Sequence, residues 1–261
     1  MGQNRQISFK MKKNKITIIT PVKNDEKNIK KTLLSLKNQS FRDYEHIIID
    51  GASKDRTKNI IEKFRDDKTI IFSEDDAGIY NAINKGIKKA QGKFIGTLNS
   101  GDTYEKSGLE IINKYLNKSD IDFIFGTVKK DKIRHGFYPS KIFWSFNFYP
   151  AHSSGFFISK EAQNKIGQYD PQFKCSSDYD LFYKMIVKYK MRGTYTKKNE
   201  IIGNFEMGGY SQQITLLEHI LEETKIRLHN KQNKIFVFLI LTLRIIKNFY
   251  KLNLINYLKK K

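Results

Sequence analysis

Asp102 closes the run GKFIGTLNSGD (92–102), in which an apolar stretch, 94–98, ends abruptly in small polar residues and one carboxylate. A short apolar run bounded by turn residues reads as a buried central strand of an α/β sheet. Ligands of such sheets sit beyond the carboxyl ends of the strands, where Asp102 falls. A carboxylate in that position can hold a divalent cation, and a cation can neutralise a diphosphate. Two more acidic loops follow strand-like runs, Asp50 after YEHIII and Asp75–Asp76 within SEDDAG, and Asp178 opens a later apolar-periodic segment in SSDYD. Singly, each of these acids is as well read as a turn, cap or helix-start residue. His152, between Ala151 and Ser153, is by itself more often a hydrogen-bonded structural histidine than a catalyst.

The elements that must position these groups alternate. Residues 15–20 read as a first strand stopped by Pro21, and 26–39 as an amphipathic helix burying Ile29, Leu33 and Leu36. Strand 44–49, helix 57–65 (Ile60, Ile61, Phe64), strand 69–72 and helix 79–90 (Ile79, Ile83, Ile87, Ala90) follow. Such alternation predicts a mostly parallel sheet with right-handed crossovers, its acidic loops gathered along one edge. Helix 107–116 and strand 121–125 complete the regular half. Beyond it, 129–148 mixes Lys, Arg and aromatics as a hairpin or loop, 151–158 reads as a strand and 160–166 as a short helix. Helix 175–189, capped by Ser176 or Ser177, is expected to bury Leu181, Met185 and Val187. A last strand, 201–205, precedes a Gly208-Gly209 break and a long helix, 211–230.

The net charge is +21, and residues 225–261 hold ten Lys/Arg and no Asp or Glu. That excess implies an anionic partner. In the tail, 235–258, Arg244, Lys247 and Lys251 share one helix face and Ile245, Phe249 and Leu252 the opposite one. This pattern fits a helix lying in a membrane interface. The apolar run IFVFLILTL is well short of the ~20 residues needed to span a bilayer. A single cysteine, Cys175, excludes a disulfide framework and suits a reducing compartment. The basic N-terminus is followed by no signal-like apolar core.

In combination the motifs are specific. The runs TPVKN, IIIDGASKDRT, SEDDAGIYNAINKGIKKAQG and FIGTLNSGD, then HSSGFFISK, GQYDPQF, SSDYDLFYKM and GGYSQ, resemble in order and spacing the family 2 glycosyltransferases of the GT-A fold. The resemblance spans 15–212 and implies inverting transfer from a nucleotide sugar, with Mn2+ or Mg2+ on the diphosphate. It would place Thr20 and Pro21 along the nucleotide pocket and Asp50 on the base or ribose. Members often carry a second Asp after that one; here the position is Gly51, and Asp76 is a candidate replacement. Asn81, Asn84 and Lys85 would reach the sugar or diphosphate. Where the family shows Asp-X-Asp-Asp, this chain has Asn99-Ser100-Gly101-Asp102, leaving Asp102 as the metal-ligating carboxylate beside Asn99 and Gly101. Asp178 matches the catalytic base, Asp180 a supporting residue, His152 an acceptor-side position, and Tyr210 and Ser211 a flap over the donor.

The expected architecture is therefore α/β: a GT-A (Rossmann-like), mostly parallel sheet flanked by helices, with a C-terminal helical extension. Residues 1–14 form a basic extension, 15–126 the nucleotide-sugar half, 127–212 the acceptor half and 213–261 a basic amphipathic tail. The expected activity is transfer of a hexosyl or N-acetylhexosaminyl group, UDP-linked, to a glycan or lipid-linked acceptor in cell-surface polysaccharide synthesis. The expected location is cytoplasmic, with 235–261 on the anionic inner face of the membrane, no nucleic acid bound, and a homo-oligomer left open. The alternatives are a basic nucleic-acid-binding protein without catalytic activity, for which 129–148 lacks a recognisable motif, and a sugar-nucleotidyltransferase, for which a Gly-rich basic loop after the first strand is missing.

Overall fold

A computed structural model of the chain describes residues 15–118, 120–144, 153–205 and 214–258. The first half follows the alternation of its sequence: β1 (Ile16–Val22), α1 (Ile29–Lys37), β2 (Tyr44–Asp50), α2 (Thr57–Phe64), β3 (Thr69–Ser73), α3 (Ile79–Lys89), β4 (Phe94–Thr97), β5 (Thr103–Tyr104) and α4 (Gly108–Lys118). The second half adds β6 (Phe123–Phe125), β7 (Thr127–Lys129), β8 (Ile133–Arg134), α5 (Pro139–Trp144), β9 (Phe156–Ser159), α6 (Lys160–Ile166), α7 (Ser177–Tyr183), β10 (Gly193–Tyr195), β11 (Ile201–Asn204), α8 (Leu216–His229) and α9 (Lys234–Leu258).

Seven strands form the main sheet in the order β10-β6-β9-β4-β1-β2-β3, which puts β4 in the middle, as its apolar run requires. The pairs β1–β2, β1–β4, β2–β3 and β6–β10 are parallel, whereas β9 runs antiparallel to both neighbours. Pro21 does not stop β1, which continues to Val22. The amide of Leu98 bonds to Ile19 O on one side of β1 and that of Gly51 to Val22 O on the other. By alternation the Pro21 nitrogen faces the β4 side, where pairing has already ended at Thr97, so the missing N–H leaves no ladder bond unmade.

A second sheet, β5-β11-β7-β8, was not expected. Its strands are two to four residues long, too short for an alternation signal. Strand β9 begins at Phe156, not at 151, because Ser153–Gly155 is a 3-10 turn. The helix expected over 175–189 is α7 followed by a π-helical turn, Lys184–Lys188, and no serine hydroxyl caps it. Helix α8 starts at Leu216 rather than 211, on a capping box of Thr215 and Glu218, a T-x-x-E signal present in the sequence.

Phe123, Phe125, Phe156 and Phe182 meet between the main sheet and α7, with ring centroids 4.8–6.3 Å apart. All four are buried, each contributing about 1.5–3 kcal/mol of transfer free energy. This packing fixes α7 against the sheet and so places Asp178.

Helix α9 departs from the expected pattern. Arg244 is 4% exposed and pairs with Glu223 of α8, so it does not belong to an outer basic face. Most of the outward side is apolar: Ile235, Phe238, Leu239, Ile246, Phe249 and Tyr250 are exposed, alongside Lys234 and Lys247. Among the described residues no helix is long and apolar enough to cross a membrane.

Candidate active site

The carboxyl end of β1, the loop after β3 and the first turn of α3 bound a cavity of about 440 Å³. Residues 21–23 and 76–82 line one side, and Pro171, Phe173 and Lys174 the other. Gly78, at φ +114°, makes the turn into α3 in a backbone conformation that favours glycine. Pro21, Asp76 and Asn81 line this cavity; Asn81 Oδ1 accepts from the Ala77 amide at 3.4 Å.

Gly51 has a specific reason. A Cβ there would collide with Oδ2 of Asp76 and come within 3.0 Å of its Cγ. The Asp76 carboxylate thus occupies the space a side chain at 51 would fill, and its Oδ1 accepts from the Gly78 amide at 3.0 Å.

Asp178 lies in the first turn of α7, half-buried. Its Oδ1 accepts from the Tyr80 hydroxyl of α3 at 3.3 Å and from the Tyr179 amide at 2.9 Å. Tyr80 lines the cavity, so the candidate base is joined directly to its wall. Just before α7, Glu222 of α8 accepts from the amides of Lys174 (2.7 Å) and Cys175 (2.9 Å) and from the Cys175 thiol (2.7 Å). Burial, with the Glu222 carboxylate second, pushes the thiol up to about 12, so it stays protonated as a donor. Helix α8 is in this way part of the support for Asp178.

Several expected site residues are turned elsewhere. Thr20 is fully buried with its hydroxyl 2.9 Å from His46 Nε2, because strand alternation points it away from the cavity that Pro21 lines. Asp50 is also fully buried; its carboxylate accepts from the Ser53 amide and, at 2.6 Å, from the Ser73 hydroxyl, and Lys58 lies at 3.7 Å. It organises the loops after β2 and β3 and does not line the cavity. Asn84 clamps the Tyr169 backbone through two hydrogen bonds, 2.7 and 2.9 Å. Lys85 donates to Asp75 O at 2.6 Å and pairs with Glu74, fastening the acidic loop to α3. Asp180 is buried between Lys184 (2.6 Å) and Asn230 (2.7 Å), which is a structural role. His152, Tyr210 and Ser211 lie outside the described residues.

After β4, Asn99 donates to the Ser153 hydroxyl at 3.4 Å, and Gly101, at φ +96°, donates its amide to Thr32 of α1. Asp102 is 5% exposed, and its carbonyl also accepts from Thr32. Among the described residues no three His, Cys, Asp or Glu side chains converge to hold an ion. The donor set is one carboxylate with the Asn99 amide in the same turn. Such hard oxygens suit Mg2+ or Mn2+ when phosphate oxygens and water complete the shell.

Sequence reasoning missed Lys23, Tyr80, Phe173 and Lys174 of the cavity wall. Tyr80 sits inside SEDDAGIYNAINKG and Phe173 ends GQYDPQF, so both lay in quoted runs. An aromatic at the start of a helix carries no local mark that separates a core ring from a site ring.

The model of glycosyl transferase family 2 matches residues 17–199. An uncharacterized glycosyltransferase of Rickettsia typhi is 29% identical over 187 residues, 66% of this chain and 58% of that protein. The UDP-Glc:alpha-D-GlcNAc-diphosphoundecaprenol beta-1,3-glucosyltransferase WfgD of Escherichia coli is 30% identical over 112 residues, 42% of this chain and 44% of its own. The chain therefore spans less than two thirds of the length of these curated relatives. The structure of S. aureus TarS 1-349 in complex with UDP-GlcNAc superposes with a TM-score of 0.67 at 18% identity, over 90% of this chain and 73% of that one, and shows the fold to be GT-A. With the family model covering most of the folded core, the chain belongs to glycosyl transferase family 2.

Proposed function

We propose that this protein is an inverting glycosyltransferase that moves a hexosyl or N-acetylhexosaminyl group from a UDP sugar to a glycan or lipid-linked acceptor in surface-polysaccharide synthesis. The observation that carries this reading is the bond from Tyr80, in the cavity wall, to Asp178. Nucleotide and sugar would occupy the cavity along residues 21–23 and 76–82, with Asp76 and Asn81 as polar anchors and Lys23 and Lys174 as cations for the phosphates. Asp178 would accept the acceptor hydroxyl's proton as that oxygen attacks the anomeric carbon, so one displacement inverts the configuration. Asp102 with Asn99 would hold a divalent cation, Mn2+ or Mg2+, which when bound offsets the charge of the departing diphosphate. The names of WfgD and TarS 1-349 support a UDP donor, and that of WfgD a lipid-linked diphosphate acceptor. The nucleic-acid reading is not favoured, because the family is a sugar-transfer family and Asp75, Asp76 and Asp178 stand at or beside the cavity.

The test is a panel of UDP-glucose, UDP-N-acetylglucosamine, UDP-galactose, GDP-mannose and CMP-sialic acid, each assayed for nucleotide release with and without Mn2+. UDP release from one UDP sugar, raised by Mn2+, is the expected result. No binding or turnover of any donor, with salt-sensitive retention on DNA, would reject the proposal.

The apolar outer face of α9 and the exposed Lys225, Lys231, Lys234 and Lys247 support a peripheral contact with the anionic inner face of the membrane. Deleting 231–261 is expected to shift the protein from the membrane to the soluble fraction on sedimentation. Equal partitioning of both forms would remove the tail from this role.

A further inference from the structure

We infer that Tyr80 is a positioning residue for Asp178, tying the proton-accepting carboxylate to the turn of α3 that faces the donor. The inference rests on the reading of Asp178 as base and adds a residue that the sequence motifs did not single out. Tyr80 is held on two sides. Its ring stacks on Tyr169 at 5.5 Å and 14°. The Tyr169 backbone is in turn gripped by Asn84, one helical turn further along α3, through bonds of 2.7 and 2.9 Å. Ring and backbone are thus fixed by the same helix. The phenol then has one direction left for its hydroxyl, and there it meets Asp178 Oδ1 at 3.3 Å.

Both the Tyr80 hydroxyl and the Tyr179 amide donate to that one oxygen, which sets the carboxylate's rotamer and plane. Desolvation, and then the Asp178 charge, hold the phenol well above its ordinary range, so Tyr80 remains a donor at every working pH. A donor to the charged form of a carboxylate favours that form. Among the described residues, Tyr169, from the loop ahead of α7, and Cys175, which is itself bonded to Glu222 and lies 3.4 Å from His219 of α8, also face Asp178. None of these replaces the Tyr80 hydroxyl as donor to Oδ1. Because residues 76–82 also line the cavity, a bound nucleotide sugar would press on the turn that orients the base.

The experiment compares the full-length chain with Tyr80→Phe, which keeps the ring stack and removes only the hydroxyl. Aspartate is labelled with 13C at its carboxyl carbon, and the Asp178 resonance is identified by its loss in Asp178→Asn. The titration midpoint of that resonance is expected to move up by about 1 pH unit in Tyr80→Phe, the scale of one lost charge-assisted hydrogen bond. With UDP-N-acetylglucosamine as probe, the acid limb of kcat/KM should move the same way and kcat fall about ten-fold, on the scale of general-base contributions. An unchanged midpoint overturns the inference whatever the turnover. Near-normal turnover of Asp178→Asn rejects the base reading instead, so the two failures are distinct.

Discussion

Asp178→Asn is expected to lower kcat by about 10²- to 10⁴-fold, the usual range for loss of a positioned general base. Nucleotide affinity, read by calorimetry with UDP, should stay within about two-fold, because Asp178 is not among the residues that line the cavity. Asparagine keeps the shape of aspartate and retains an Oδ1 acceptor for the Tyr80 hydroxyl and the Tyr179 amide. Position is therefore preserved and proton affinity removed, which makes this the cleanest separation of chemistry from binding that the site allows. The acceptor hydroxyl becomes acidic only as its bond to the anomeric carbon forms, so a carboxylate of ordinary strength suffices once it is in place. Asp180→Asn offers the contrast. That side chain is buried against Lys184 and Asn230, so its loss should show as lower thermal stability with UDP affinity intact. Near-normal turnover of Asp178→Asn would move the base elsewhere.

Glu223→Ala is expected to be the most destabilising single change in the C-terminal helices. The Glu223 and Arg244 side chains are 6% and 5% exposed and form a two-pronged pair, one prong of 3.3 Å between Nη2 and Oε1. Truncating one partner leaves a buried guanidinium without its counter-charge, which costs about 3–5 kcal/mol. For a chain of this size that corresponds to a melting point lower by roughly 10 °C, or to release of α9 alone, seen as new protease cleavage between α8 and α9. The double variant Glu223→Leu/Arg244→Met should recover most of the loss, since an apolar pair of similar volume has no charges to desolvate. Wild-type melting and cleavage in Glu223→Ala would mean that α9 is not docked through this pair. The result also bears on the membrane proposal. The pair points the apolar row of α9 outward, so a released α9 should still partition to lipid but no longer hold the catalytic domain in one orientation.

The regular half of the fold was legible because its signals are local. Each strand from β1 to β4 is a β-branched apolar run closed by turn residues, and α1, α2 and α3 carry apolar positions at helical spacing. The small second sheet was not, since a strand of two or three residues has no periodicity to detect. The π-helical turn after α7 was hidden for a related reason: Leu181 and Met185 are buried at an ordinary helical spacing, and the extra residue per turn shows only in the backbone. On α9 one member of the expected basic row was misassigned. Arg244 looked like part of a solvated basic face because sequence shows charge and not its partner, and that partner, Glu223, lies on another helix.

From its residues alone this chain declares its family, its strand-and-helix order and the edge of the sheet where its acids collect, because turn chemistry and hydrophobic period act over a few residues. Which acids reach the cavity was decided only in three dimensions. Asp50 turns into the protein toward Ser53 and Ser73, while Asp76 settles over Gly51 from a loop one crossover later. Tyr80 and Asp178 are 98 residues apart and meet beside the loop ahead of α7, whose Tyr169 stacks on Tyr80. Contacts of that range depend on strand register and helix packing together, and no short window of sequence contains either.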